Sequence, residues 1–436
     1  MKDKIVKLKN GGVLIYSKNK LNNSSAVEVG FCVGAACDKI PGVAHFLEHT
    51  LFKKTQTRTN FEVERDRNKI VSLNASTGHD YLIVKFVRTN KLIEESFAFA
   101  YDVLINSVID DEYMQSEKEV IKEELAMCQD DESHDVYLEN FKQAMSKAKY
   151  SSSIVGETVD NIDKITFADL QDFKMKYFVG QNFIISITTN MSLSKTKKLV
   201  NKHFVSKIKA INKYQKTKKH YDVVNVDMDS SLNIIEKKQE KTVVLMTFKI
   251  KANEYDIFAG NYNYPFLARY LSGSQGELFL KLRNRGLVYR MSSDISCMKD
   301  SSLFNIFLET SMPKVNDTLE VVKEEIEKVV TQEIDEKLIE EYRKNLQYFS
   351  DEKIPQSPSS RTHSNLVDYV NNKKLFKLTK KQKKKLRDAV SPEGVKKVAK
   401  SIFNKKNKMY VTFHGNIVKE MVPDLEFFKK NFLISE

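Results

Sequence analysis

A chain of 436 residues with 41% hydrophobic and 30% charged residues carries enough apolar material for two or three packed domains, which excludes a disordered or low-complexity chain. Its net charge of +13 comes without aromatics interleaved among the basic residues, so it reads as a solvated basic face and not as a nucleic-acid platform. No apolar run reaches the roughly 18 residues of a membrane span. The four cysteines (Cys32, Cys37, Cys128, Cys297) form neither a CxxC metal motif nor a disulfide framework, and read as free buried thiols of a reducing compartment.

The N-terminal MKDKIVKLKNGGVLIY has no apolar core or small-residue cleavage site of a signal peptide. It reads as a strand, a Gly-Gly turn and a second strand. SSAVEVGFCVGAACD reads as a further strand that ends near Asp38. Pro41-Gly42 then breaks the chain, and a helix is expected after Pro41 because the residue before a proline avoids helical geometry. That helix is GVAHFLEHTLF, Gly42 to Phe52. His45 and His49 are four apart and stack on one face, with Glu48 at its edge. Two imidazoles at this spacing can each give one nitrogen to a tetrahedral zinc. The carboxylate beside them can take a proton from a zinc-bound water. HxxEH is the zinc-protease helix motif in inverted order.

NFEVERDRNKIVSL reads as a second helix and YLIVKFV as a strand. Residues 92–108 and 111–148 read as helices. A catalytic zinc usually has three protein ligands and an open position. The acid-rich SEKEVIKEEL, Ser116 to Leu125, is the source considered for the third. Its Glu117 and Glu124 are seven apart and share a helix face, while Glu123 points about a quarter turn away. His79 reads as a surface histidine or one that supports a ligand from behind, and His363 has no metal-like partner spacing. Thr166 with Asp169 forms a capping box for a helix to Tyr177, and FIISITTN is a strand.

Thr166–Asn190 and Ser391–Gly415 align without gaps at an offset of 225 residues, each running capped helix, aromatic, polar turn, apolar strand. A repeat this long predicts two similar α+β domains in tandem, 1–205 and 239–436, joined by a polar, Lys-rich connector at 206–238. In the second half TVVLMTFKI reads as a strand and YNYPFLARYL as a helix. Residues 315–350 read as a charged amphipathic helical stretch, and KIPQSPSSRTHSN as a Pro/Ser loop.

HFLEH, the paired acids and Asn-Ala-x-Thr at Asn74, Ala75 and Thr77 together make the chain resemble the pitrilysin family of inverzincin peptidases, of the short two-domain bacterial and mitochondrial-processing-peptidase-like type. The resemblance implies two α/β-sandwich domains with antiparallel-rich mixed sheets, forming half of a clamshell. It implies one zinc ion (Zn2+) per chain, held by His45, His49 and a glutamate some 75 residues on. Glu124 lies 75 residues after His49, so the ligand role falls to it and the orienting role to Glu117. Glu48 becomes the general base, and Asn74 and Ala75 lie on an edge strand that holds substrate as an added strand. Arg283 and Tyr289, after the loop LSGSQG, match the family's donors to the scissile carbonyl, with Arg285 as the competing arginine. Here the pair is six apart where the family more often shows seven, and most of the loop's glycines are missing.

The expected activity is zinc-dependent endopeptidase hydrolysis of unfolded peptides or oligopeptides in a dimeric chamber. The expected partner is a second copy, and the alternative a zinc-less homologue. A dedicated processing peptidase for a presequence or leader, and a non-catalytic scaffold subunit, are the competing functions. The cytoplasm is the expected compartment, with an organelle matrix as the alternative.

Overall fold

The first half of the chain alternates β-branched runs with amphipathic helices: β1 (Lys4–Lys7), β2 (Val13–Lys18), β3 (Ser24–Phe31), α1 (Val43–Thr50), α2 (Asn60–Asn68), β4 (Asn74–Thr77), β5 (Leu82–Thr89), α3 (Ile93–Ile105), α4 (Asp111–Asp130), α5 (Glu132–Ala144), α6 (Val159–Lys164), α7 (Phe167–Tyr177), β6 (Phe183–Thr189) and α8 (Leu193–Val200). The second half runs β7 (Ser231–Glu236), β8 (Thr242–Ile250), α9 (Asn263–Ser272), α10 (Glu277–Asn284), β9 (Arg290–Cys297), β10 (Ser302–Thr310), α11 (Val315–Thr331), α12 (Glu336–Asp351), α13 (Pro358–Asn372), α14 (Lys380–Asp388), α15 (Pro392–Ile402), β11 (Lys408–Gly415) and α16 (Leu425–Phe432). The structure, a computed structural model, describes residues 3–19, 23–145, 152–211, 229–253, 255–272, 276–297, 301–351, 357–375 and 378–435.

These elements form two compact units, and neither is continuous in sequence. The first comprises Met1–Cys128, Lys149–Val223 and Pro355–Leu375; the second comprises Gln129–Ala148, Val224–Ile354 and Phe376–Glu436. Helix α13 thus belongs to the first unit and α5 to the second. The first sheet has the order β1-β2-β6-β3-β5-β4, the second β7-β11-β8-β10-β9. Each is antiparallel apart from one parallel pair, β2 with β6 and β7 with β11. Without β1 the two orders correspond strand for strand, which is the internal repeat in three dimensions.

Alternation along the strands explains the layers, because successive side chains point to opposite faces. In the first unit Val29, Ile185 and Val84 join the core under α1 and α3, whereas Ile184, Ile83 and Val13 pack against Leu366 and Val370 of α13. In the second, Val244 and Met246 face the main core, and Val243, Leu245 and Phe307 face Val136 of α5. Both exchanged helices dock through buried polar groups. Thr362 of α13 donates to the Thr188 hydroxyl at 2.9 Å, and Asn365 to the Ser17 hydroxyl at 2.8 Å. Asn140 of α5 donates to Leu245 O and to the Thr247 hydroxyl, and accepts from Thr412. Such groups cost stability if left unmade, so they fix where each helix sits.

Four elements differ from the sequence reading. The stretch at 111–148 is two helices, because Asp131 interrupts it and caps α5 by accepting from Ser133 N. The helical stretch at 315–350 is likewise two helices, α11 and α12. Of the Pro/Ser stretch, residues 358–365 are helix: Ser357 caps α13 and Pro358 occupies its first turn, where a proline has no N–H to waste. Within the Lys-rich connector Ser231–Glu236 is strand β7, with Leu232 and Ile234 against the core; residues 212–228 lie outside the described residues. Among the described residues the four cysteines form no disulfide, and all are half-buried. Among the described residues no helix is long and apolar enough to cross a membrane.

Candidate metal centre

Helix α1 begins where sequence chemistry puts it. Gly42 adopts φ +102°, which a side chain would resist. Asp38 accepts from Gly42 N at 3.0 Å and from Ala44 N at 2.9 Å, closing the helix start. Val43, Ala44, Phe46 and Leu47 are fully buried in the core and so anchor the helix. The face left over presents His45 and His49, their ring centroids 4.7 Å apart. Across from them α4 supplies Glu124. Its Oε2 lies 3.4 Å from His49 Nε2 and 3.7 Å from His45 Nε2. One donor atom from each of the three residues falls within 4.8 Å of the others. Two ligands each about 2.0–2.1 Å from a tetrahedral zinc stand about 3.3 Å apart, so this donor set fits that ion with little movement. His45 Nδ1 is buried without a hydrogen-bond partner among the described residues, which leaves Nε2, on the cluster side, as its polar contact.

Behind the cluster is an ion relay. His49 Nδ1 lies 3.0 Å from Glu117 Oε2, and Lys53 Nζ lies 2.5 Å from Glu117 Oε1. Glu117 is buried. Burial opposes its charge, yet the hydrogen bonds from His49 and Lys53 hold its carboxyl below the usual range. A carboxylate on the far nitrogen fixes the tautomer and basicity of a ligating imidazole. Lys53 is the residue that sequence reading missed, since its pairing is set by how α1 meets α4. Replacing Lys53 by Met is expected to weaken zinc binding by about tenfold to 100-fold, the range for groups that support a ligand. Competition with a chromogenic chelator checks this, and Lys53→Arg should recover most of the loss.

Burial, the neighbouring His49 and, in opposition, Glu124 set the His45 imidazole, which is pushed down to about 4. For His49, burial works against the charged form, but the hydrogen bonds to Glu117 and Glu124 raise it to about 9. The hydrogen bond from His49 leads the effects that lower the Glu124 carboxyl. Metal ligands must be deprotonated, so a zinc ion has to displace the His49 proton. Apparent zinc affinity should therefore rise about tenfold per pH unit from pH 7 and level off near pH 9. Chelator competition across that window tests the slope; a flat profile would contradict a protonated His49 in the metal-free protein.

Glu48, one turn from His45, is half-buried, and burial raises its carboxyl despite the hydrogen bond from Thr77. That bond, Thr77 Oγ1 to Glu48 Oε2, is 2.6 Å long. Thr77 ends β4, which carries Asn74 and Ala75; among the described residues β4 pairs with β5 alone, which leaves it the edge strand of the sheet. Asn74 is exposed, and its Oδ1 accepts from Ala75 N at 2.9 Å.

The remaining two predicted residues lie in the second unit. Arg283, near the end of α10, donates to Val288 O and Tyr289 O at 3.5 and 3.3 Å. Tyr289 precedes β9 and its side chain is 59% exposed. Of the loop before α10, residues 273–275 lie outside the described residues. The counterpart of α1 in this unit is α9, which follows β8 as α1 follows β3. Set side by side, His45-Phe46-Leu47-Glu48-His49 faces Pro265-Phe266-Leu267-Ala268-Arg269. The core pair Phe-Leu persists, and all three chemical positions are replaced. Physically the second unit keeps the packing of the first without its metal donors.

Comparison with known proteins agrees with this asymmetry. Residues 13–158 match "Insulinase (Peptidase family M16)" and residues 164–346 match "Peptidase M16 inactive domain". A protein of Rickettsia bellii described as an uncharacterized zinc protease is 27% identical over 353 residues, 79% of this chain and 82% of its own. A protease of Helicobacter pylori has the same fold, with TM-score 0.80 and 19% identity over 95% of this chain and 99% of that one. The periplasmic protease PqqL of Escherichia coli superposes with TM-score 0.75 and 14% identity on 99% of this chain, which spans 50% of that protein. The chain belongs to peptidase family M16, with a metal-donor set in its first unit and a degenerate copy in its second.

Proposed function

We propose that this protein is a zinc-dependent endopeptidase that hydrolyses unfolded peptides. The observation that carries the reading is one junction: three metal-type donors meet beside a half-buried carboxylate, which is tied by Thr77 to an edge strand. His45, His49 and Glu124 would hold the metal, one ion per chain. Zinc bound there supplies an acidified water and polarises a carbonyl. Glu48 accepts the proton of the attacking water and returns it to the departing amine. Its raised pKa suits both halves of that transfer, and Thr77 fixes the carboxylate while it occurs. An extended peptide would add to β4 through main-chain hydrogen bonds, with Asn74 turning from Ala75 N to the incoming chain. The strand that positions the peptide thus also positions the base.

Arg283 and Tyr289 are assigned to the scissile carbonyl as donors to its developing negative charge. The exposure of Tyr289 supports the assignment. The active assembly is proposed as a homodimer enclosing a chamber, with these donors supplied by the second copy. Support comes from the PqqL polypeptide, of which one copy of this chain spans half. Digestion of a mixed pool of unfolded peptides, read by mass spectrometry, tests the activity: cuts should vanish with chelator and return with zinc. A zinc-loaded protein that cuts nothing would overturn the reading. Mixing Glu48→Gln with Tyr289→Phe protein tests the pairing, because each supplies what the other lacks. Activity above either parent supports donors in trans, and no gain after subunit exchange counts against them.

A further inference from the structure

A second cleft of the first unit shares no lining residue with the metal donors. Helix α7 and the segment that follows α3 border an open cleft of about 430 Å3. Its walls are mainly apolar, from Ile105, Val108, Ile109, Phe167 and Phe178, with the polar Gln56 and Gln171 and one cation, Lys174, among them. Lys174 Nζ donates to Ser107 O at 2.9 Å and to Ser107 Oγ at 2.6 Å, which uses two of its three hydrogens. Among the described residues no carboxylate stands within ion-pairing distance of it. Asp102, whose charge acts on it, is already engaged by Thr55, Thr57, Arg58 and Asn106. A half-buried ammonium without an ion-pair partner is costly, and a mainly apolar pocket with one unneutralised charge suits an ion of opposite sign.

We infer that this cleft binds a small organic carboxylate on an apolar body, with Lys174 as its counter-ion. The remaining N–H matches one carboxylate oxygen. A carboxylate on an apolar body uses both the ammonium and the apolar wall, whereas a phosphate, polar on every side, would leave that wall unused. The volume takes a phenyl ring or a short acyl chain with its head group. Burial pushes the Lys174 ammonium down to about 8, with Asp102 opposing, as expected of a cation that lacks its partner. The same chemistry has two sources: a free carboxylic acid, or the C-terminal carboxylate of a peptide that ends in an apolar residue.

Calorimetric titration of the zinc-loaded, full-length protein decides. The probes are 3-phenylpropionate, octanoate, 3-phenylpropionamide and N-acetyl-leucyl-phenylalanine. One or more acids should bind, and the amide should bind about tenfold to 100-fold more weakly than 3-phenylpropionate if that acid is the ligand, the usual worth of a charged hydrogen bond. Lys174→Met should weaken the acids by the same factor. Val108→Glu, which places a carboxylate in the cleft, should do likewise and decides the matter if Lys174→Met does not fold. Tighter binding of the two simple acids marks the free-acid source, and tighter binding of the blocked dipeptide marks a chain end. No acid binding, equal binding of amide and acid, or unchanged binding in the folded variants would overturn the site.

Discussion

Replacing Glu48 by Gln is expected to lower kcat/KM for peptide hydrolysis by about 1,000-fold or more, while zinc content stays at one ion per chain. The two side chains have nearly the same shape, and the Gln carbonyl can accept from the Thr77 hydroxyl as Glu48 Oε2 does at 2.6 Å. Glu48 contributes no atom to the donor cluster, so metal retention should be unaffected. What the amide cannot do is take a proton from water and hand it to the leaving amine. Paired assays of zinc content and hydrolysis on the same preparation check this. A Glu48→Gln protein within tenfold of wild type would remove Glu48 from the proton transfer. Loss of zinc in the same variant would recast it as a structural support of the cluster.

Replacing Glu124 by Ala should lower zinc affinity by more than the roughly 100-fold limit for supporting groups such as Glu117, because it deletes a donor. Hydrolysis should fall with it at limiting metal. The variant carries a second signature. Zinc that binds only the folded chain stabilises it by mass action, so adding zinc raises the melting temperature of wild type and should not raise that of Glu124→Ala. The metal-free variant also loses a partner of His49, whose raised pKa rests on Glu117 and Glu124 together. With folded pKa above the unfolded value near 6.5, His49 contributes stability that is complete below that value and lost as pH rises through about 9. Glu124→Ala reduces this contribution at pH 6 and leaves metal-free stability near wild type at pH 10.

The sequence made the metal helix legible because its chemistry is local: a spacing of four puts the two histidines on one face of any helix, and Pro41-Gly42 mark its start. Glu124 was not local. Spacing on α4 left Glu117 and Glu124 as candidates, and family resemblance divided the roles between them; in the structure Glu124 faces both histidines and Glu117 backs one. Lys53 had no sequence signal, since a lysine after a helix is ordinary until a buried carboxylate is found beside it. The loss of chemistry in α9 was readable once Phe46-Leu47 was laid on Phe266-Leu267, an alignment that the 225-residue offset of the C-terminal repeat obscured.

The fold shows the same division. Strands β2, β3, β6, β8 and β11 were plain from their apolar runs. The exchange of α5 and α13 was not, because an amphipathic stripe states that a face is buried and not which sheet buries it. The polar anchors Asn140, Thr362 and Asn365 carry that information, and as isolated residues in a sequence they look like surface groups. Ser357-Pro358 was a helix start read as a loop, although proline in the first turn behind a serine cap is a start signal.

Anomalous diffraction at the zinc edge, from crystals grown with one equivalent of zinc, tests the central claim most directly. The account predicts one peak per chain, about 2.0–2.2 Å from His45 Nε2, His49 Nε2 and a Glu124 oxygen, with His49 Nδ1 still on Glu117. A peak at other residues, or a donor cluster without a peak in zinc-saturated crystals, would contradict it.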